Sequence, residues 1–182
     1  MHKTLEQLQE STDLVKGAPA DGGTLEMIVI RPDVGERVVL EAAELHRDHG
    51  VVGDSWRKRG SGRTEDGSAH PDMQLNLIGS RVLDLIAGGR DRWQLAGDQL
   101  YVDVDLSEEN LPPWTRLSIG EAVIQVTDQP HTGCGKFSSR FGADALRWVN
   151  SPEGRALRLR GANARVVEPG TIRVGDSLTR LS

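Results

Sequence analysis

Strict alternation of apolar and polar residues marks the clearest elements of the chain. In AGDQLYVDVDLS, Leu100, Val102, Val104 and Leu106 fall on one side and Tyr101, Asp103 and Asp105 on the other, which predicts a strand with one buried and one solvated face. EAVIQVTD repeats the pattern with Ala122, Ile124 and Val126 inward, and MQLNLIG places Met73, Leu75 and Leu77 on one face. TLEMIVIRP, starting at Thr24, is rich in β-branched and apolar residues and stops at a proline, and residues 35–45 are its predicted hairpin partner. The chain closes with GANARVVEPGTIRVGDSLTRLS, where two short strands flank the turn dipeptide Pro169-Gly170 and a last strand follows Gly175-Asp176.

Helical spacing is sparser. Leu5, Leu8, Thr12 and Val15 form a weak stripe, SRVLDLIAGG predicts a short helix capped by Ser80 with Val82, Leu85 and Ile86 inward, and FGADALRWVN predicts another. Ser151 followed by Pro152 is a helix start signal, with Arg155, Arg158 and Arg160 after it. GAPADGG reads as a linker, so the expected organisation is an amino-terminal helix and linker over residues 1–23 and one domain over residues 24–182. Residues 50–68, rich in glycine and charge and without periodicity, are expected to form a mobile loop whose Arg57, Lys58, Arg59 and Arg63 can close over an anion. Many short strands with few helices predict a β-rich α+β fold, a barrel or sandwich decorated by short helices.

Composition narrows the function classes. At 182 residues the chain has the length of one sizeable domain, and no apolar run approaches the roughly 20 residues of a membrane-spanning helix. The amino terminus lacks the apolar core of a secretory signal, which places the protein in the cytoplasm as an expectation. A net charge of −5 argues against nucleic acid as a partner. The charge is uneven, however. Residues 1–135 hold 13 Lys and Arg against 23 Asp and Glu, whereas residues 136–182 hold 9 against 4. The basic part begins beside the only cysteine, Cys134, and clustered arginines beside a thiol suit a small anionic ligand such as a phosphate or carboxylate.

Cys134 lies between Gly133 and Gly135 in TDQPHTGCGKFSSRFG, with His131, Lys136 and Arg140 within a few residues. A thiolate is the reactive form of cysteine, and nearby positive charge favours it. GCGK is not a phosphate loop, because Pro130 occupies the first glycine position and Phe137 the hydroxyl position. His46 and His49 with His131 and Cys134 have a two-plus-two zinc spacing, but one cysteine is few for a structural zinc site. A cysteine hydrolase needs a base in contact with Cys134, and His131 is only three residues away.

Residues 117–137, IGEAVIQVT leading to a lone cysteine three residues before Phe137, resemble the MOSC domain, the module at the carboxyl end of molybdenum-cofactor sulfurases. Gly53-Asp54 matches that family's early Gly-Asp, Gly97-Asp98-Gln99-Leu100 is similar to its Gly-Glu-Asn-Leu, and residues 161–176 resemble its closing strand pair. His131 and Gly133 stand where members commonly carry arginine and proline, and Trp56 where a histidine often follows Gly-Asp. The resemblance implies a MOSC-type β-barrel with a few short helices. It also implies a thiol, Cys134, that carries sulfur as a persulfide or ligates molybdenum of a pterin cofactor, the molybdenum cofactor. With Cys134 and His131 as catalytic residues, Lys136, Arg140, Arg155, Arg158, Arg165 and Asp54 are the residues expected to hold the cofactor. A molybdenum-dependent oxidoreductase acting on N-hydroxylated substrates and a sulfurtransferase are both compatible with the resemblance. A noncatalytic sulfur carrier with no bound cofactor, receiving persulfide from a pyridoxal-phosphate-dependent cysteine desulfurase, is the alternative. A desulfurase or a reductase is the implied partner.

Overall fold

The alternating segments become eleven strands in the computed structural model, which describes residues 1–182. They are β1 Gly23–Ile30, β2 Val38–Leu40, β3 Ala42–His46, β4 Gly50–Val51, β5 Leu75–Gly79, β6 Leu100–Asp103, β7 Arg116–Ile119, β8 Ala122–Val126, β9 Ala162–Glu168, β10 Gly170–Arg173 and β11 Ser177–Arg180. Seven of them close into a ring in the order β1, β11, β7, β8, β9, β5, β6, with β6 returning to β1. The β5–β6 pair is parallel and the other neighbours are antiparallel. This is the β-rich α+β barrel expected from the pattern of short strands. Closure leaves no open edge around the ring. β2 extends β1 beyond the point where β11 leaves it, and β10, β3 and β4 form a small separate sheet.

Seven short helices complete the chain: α1 Leu5–Glu10, α2 Thr12–Lys16, α3 Trp56–Arg59, α4 Ser80–Ile86, α5 Gly135–Phe141, α6 Ala143–Asn150 and α7 Pro152–Ala156. They create a second apolar core on the outside of the barrel. Leu100 and Val102 point into the ring, whereas Tyr101 points out and is fully buried with Trp93, Phe137 and Trp148. The face of β6 that the pattern assigns to solvent is therefore covered at Tyr101, while Asp103 pairs with Arg81 on α4 at 2.7 Å. On β1 an irregularity between Leu25 and Met27 changes the phase of the strand. Leu25 and Ile28 then serve the ring, and Met27 and Val29 serve the outer core.

Several local expectations are corrected. Residues 35–45 supply two strands instead of one, because Glu41 separates β2 from β3 and each joins a different sheet. The glycine-rich residues 50–68 contain β4 and α3. Ser80 is the first helical residue of α4 and Gly79 the cap, with Leu83 buried beside Val82 and Ile86. Met73 ends a 3-10 turn, Pro71–Met73, ahead of β5. At the amino terminus α1 begins with a capping box from Thr4, and α1 and α2 dock through Leu8 and through Trp148 Nε1 donating to Thr12 Oγ1. No helix is long and apolar enough to cross a membrane.

Candidate functional site

Strand β8 delivers the chain into the segment that ends at Cys134. Asn150 of α6 grips that segment from both sides, accepting from Gly133 N–H at 2.9 Å and donating to the Gly133 carbonyl at 3.1 Å. A Cβ on Gly133 would stand 2.6 Å from Leu146 Cδ1 and 3.1 Å from Val149 Cγ2, so a larger residue here requires these side chains of α6 to shift. Gly135, in contrast, has open space around it. The stretch that reads as a loop turns helical immediately afterwards, since Phe137 and Phe141 are one turn apart and bury together, with ring centroids 5.0 Å apart.

Cys134 is exposed and occupies the position just before α5. Burial of its sulfur would push the thiol pKa up, but the backbone N–H groups of Phe137 and Lys136 and the charges of Arg160 and Arg140 outweigh that, and the net shift is downward. No formed cap hydrogen bond accompanies these N–H groups, so they act through their dipoles. The rate of alkylation by iodoacetamide is therefore expected to reach half its maximum at a pH below the ordinary thiol value of 9.0, and Arg140→Gln moves that midpoint up. A midpoint at or above 9.0 in the native fold would contradict this environment.

Arg160, whose charge reaches Cys134, is bonded to a buried carboxylate. Asp98 is fully enclosed; its Oδ1 is 2.7 Å from His131 Nε2, and its Oδ2 accepts from Arg160 Nη1 at 2.7 Å. Burial opposes the charge on Asp98, yet Arg160 and His131 hold its pKa below the usual carboxylate value. His131 is shifted downward by its burial and by the Arg160 charge, against the pull of Asp98. The neutral ring then donates from Nε2 to Asp98 and keeps Nδ1 as its basic nitrogen.

A second buried carboxylate anchors the basic side of the site. Asp54 accepts from Arg31 Nε at 2.9 Å and Nη2 at 2.8 Å, from the backbone N–H groups of Arg31 and Trp56, and from Gln99 Nε2 at 3.3 Å. Its acceptors are spent inside the protein, so it acts on the site by fixing Arg31. Arg31 in turn donates to the Gly97 carbonyl at 2.9 Å. Around it, Arg37 is depressed first by burial and then by the neighbouring charges of Arg140 and Arg31, and Arg59 by burial, Arg31 and Arg37. Five guanidinium groups, those of Arg31, Arg37, Arg59, Arg140 and Arg160, thus face two carboxylates. A cleft of about 260 Å³ opens here, lined by Arg31, Trp56, Arg59, His70, Asn76 and His131.

Several buried side-chain donors without a protein partner lie near these arginines. The buried side-chain atoms without a partner are Arg37 Nε, Ser55 Oγ, Trp93 Nε1, Tyr101 Oη and Arg160 Nε. Tyr101 lies within electrostatic reach of Asp98, Arg160, Arg37 and Arg31, Trp93 stacks parallel to it, and Ser55 follows Asp54 and donates its backbone N–H to the Arg31 carbonyl. All five are able to donate. A group that accepts hydrogen bonds would suit these donors.

His131 and Asp54 are bonded into this arginine locus, Arg140 and Arg160 bear electrostatically on Cys134, and Lys136 is exposed on α5 beside the cysteine. Lys136 is the second residue of α5 and forms no ion pair. Arg155 and Arg158 line a separate cleft that shares His131 and Arg160, and Arg165 on β9 is engaged with Asp72 at 3.1 Å and Gln125. Sequence reasoning missed Arg31, Arg37, the carboxylate of Asp98 and its partner Arg160 as site residues. Their signal was faint: the first two belong to the acidic part of the chain, and Asp98 shows only as part of Gly97-Asp98-Gln99-Leu100. His46 and His49 stay together, 5.0 Å apart, but His131 is committed to Asp98, and no three His, Cys, Asp or Glu side chains converge as a metal site.

The family model described as MOSC domain matches residues 68–179, more than half of the chain and including Asp98, His131, Cys134 and Arg160. The chain belongs to the MOSC domain family. Among solved structures, this MOSC chain is similar to a hypothetical protein of unstated source, at 20% identity and a TM-score of 0.60 over 89% of this chain and 69% of that one. It is also similar to the YuaD protein from Bacillus subtilis, at 17% identity and 0.60 over 86% and 93%. YiiM from Escherichia coli is a further structural neighbour, at 20% identity and 0.55 over 87% and 70%. At these identities the likeness speaks for the fold. No curated protein matches the chain. Membership connects the protein with molybdenum-cofactor-related, sulfur-handling domains.

Proposed function

We propose that Cys134 is the reactive centre of a molybdenum-cofactor-binding oxidoreductase, with the arginine locus that bears on it holding the phosphate of the pterin. The observation that carries this reading is the pairing of an exposed, acidified thiol with unpartnered buried donors and five guanidinium groups. A bare metal ion has no cage of side chains here. A cofactor that brings its metal on its own sulfur ligands requires only one protein thiolate and donors for its phosphate, and the residues fit that group. Arg31, Arg37, Arg59, Arg140 and Arg160 supply charge to the phosphate, Lys136 adds to it at the rim, and Tyr101 offers its hydroxyl. When bound, such a cofactor supplies two-electron oxygen-transfer chemistry, which suits reduction of an N-hydroxylated substrate with electrons from a reductase partner. Asp98 fixes the tautomer of His131, and His131 Nδ1 accepts or returns the proton that such a reduction moves.

The test is metal analysis of protein purified from a molybdenum-replete host. Stoichiometric molybdenum that disappears in Cys134→Ser, with the fold intact by circular dichroism, supports the reading. A sulfur adduct on Cys134 by intact-protein mass spectrometry, without molybdenum, replaces it with the carrier role and a cysteine desulfurase as partner. A thiol inert to alkylation in the native fold sinks both.

A further inference from the structure

The cleft that holds Arg155 and Arg158 has a charge pattern unlike that of the cysteine site. It measures about 340 Å³ and lies between residues 127–132 and residues 154–163, with Glu108 and Pro113 closing one side. Arg160 at its wall is neutralised by Asp98. The four remaining charges of the cleft, Arg155, Arg158, Glu108 and Asp128, form no ion pair with each other or with anything else. Two cations and two anions thus share one concavity without pairing, although Glu108 lies within electrostatic reach of Arg158. A simple anion entering it would meet two carboxylates, and a simple cation would meet two guanidinium groups. A ligand bearing both charges meets neither penalty.

The positive wall is built in advance. Arg158 sits in the left-handed region with φ 47°, where a residue with a long side chain is uncommon. Its Nη1 donates to the carbonyls of Leu106 and Leu111 at 3.2 and 2.6 Å, which fixes the guanidinium and leaves Nε and Nη2 free. A non-glycine residue held in that region is a recurrent mark of a functional site. Arg155 makes no side-chain hydrogen bond. Beside this wall Glu108 donates its backbone N–H to the Ala156 carbonyl at 2.9 Å while its carboxylate stays unbonded, and Asp128 accepts only from Gln129 at 3.1 Å.

We propose that this cleft binds a small zwitterion of the amino-acid class, its carboxylate on Arg155 and Arg158 and its ammonium toward Glu108 and Asp128. The site is separate from whatever Cys134 carries and does not depend on that reading. It is coupled to it, however, because His131 and Arg160 line this cleft and Arg160 bears on the Cys134 thiol.

The experiment titrates the ¹⁵N-labelled full chain with L-alanine, propanoate and ethylamine and follows the amide signals of Gly154, Gly161 and Asn163. Saturable shifts at these amides with L-alanine are expected. Propanoate and ethylamine, each lacking one charge, bind at least about tenfold more weakly, as do Arg155→Ala and Glu108→Gln with L-alanine. Both substitutions remove exposed side chains without hydrogen-bond partners, so the rest of the spectrum stays in place. Equal affinity for propanoate would reduce the cleft to an anion site and overturn the proposal. Absence of saturable shifts with L-alanine would show the four charges to be solvated rim residues and overturn it as well.

Discussion

Replacement of Asp98 by alanine is expected to destabilise the protein by about 3–5 kcal/mol, because it strands a buried charge. Arg160 is 8% exposed and keeps only the Ala96 carbonyl, at 3.2 Å, once the carboxylate is gone. His131 loses the acceptor of its Nε2 proton at the same time. The denaturant midpoint falls with an unchanged slope if the native state stays compact. The double variant Asp98→Leu with Arg160→Met recovers most of the loss, since exchanging a buried pair for apolar groups is often neutral. Alkylation should move the other way: with Asp98 absent the uncompensated Arg160 charge lowers the Cys134 thiol further. A loss below about 1 kcal/mol would mean that water reaches Arg160 and that the bridge is not buried in solution.

The same bridge sets an acid limit. Both His131 and Asp98 titrate lower in the folded protein than in the unfolded chain. For a depressed group the unfolded chain binds the proton first, so the contribution is complete above the unfolded value and is lost as pH falls. His131 withdraws stability below its ordinary 6.5, and Asp98 does so below its ordinary 3.8. Unfolding free energy measured from pH 7 downward should therefore fall in two stages, with the first absent in His131→Gln.

Gly161→Ala is expected to cost about 3 kcal/mol or more and to disturb the site through His131. Gly161 has φ 115°, a conformation that a residue with a Cβ rarely adopts. The added atom would also stand 2.1 Å from the Leu77 carbonyl oxygen on β5 and 3.1 Å from His131 Cδ2. Backbone cannot yield there without opening the β5–β9 pairing, and the histidine cannot yield without leaving Asp98. Thermal unfolding reports the first effect and the pH dependence of Cys134 alkylation the second. Unchanged melting together with an unchanged alkylation profile would refute the packing of this corner.

Much of the barrel is legible in the sequence because its strands carry their own period. Leu100 and Val102, like Ala122, Ile124 and Val126, point inward as alternation requires. Tyr101 is the instructive exception. Alternation tells which residues share a face, but whether that face meets water depends on helices that dock over it, and those helices are short. In α5 the glycine, lysine and serines of GKFSSRF obscure the pair Phe137 and Phe141, which is what folds it. The site is less legible for a different reason. Asp98, His131 and Arg160 meet from three separate parts of the chain, and no local pattern links them. Charge summed along the sequence points to residues 136–182, whereas Arg31 and Arg37 reach the locus from an acidic region through tertiary folding. Cys134 stands out because it is the only cysteine, which required no knowledge of the fold.

The ring is fastened where β1 meets β11, by Gly23 opposite Leu178 and Thr24 opposite Ser177. Nearly the whole chain lies between these partners, so the joint is of high contact order and its closure is entropically late. On a ribosome β1 emerges early and waits, with part of one edge unpaired, until β11 has been made. During that interval the unpaired edges of β1 and β7 can take a strand from a neighbouring nascent chain instead. A polypeptide cut before Ser177 remains in that condition permanently, and its characteristic fate is strand exchange or aggregation instead of simple loss of activity.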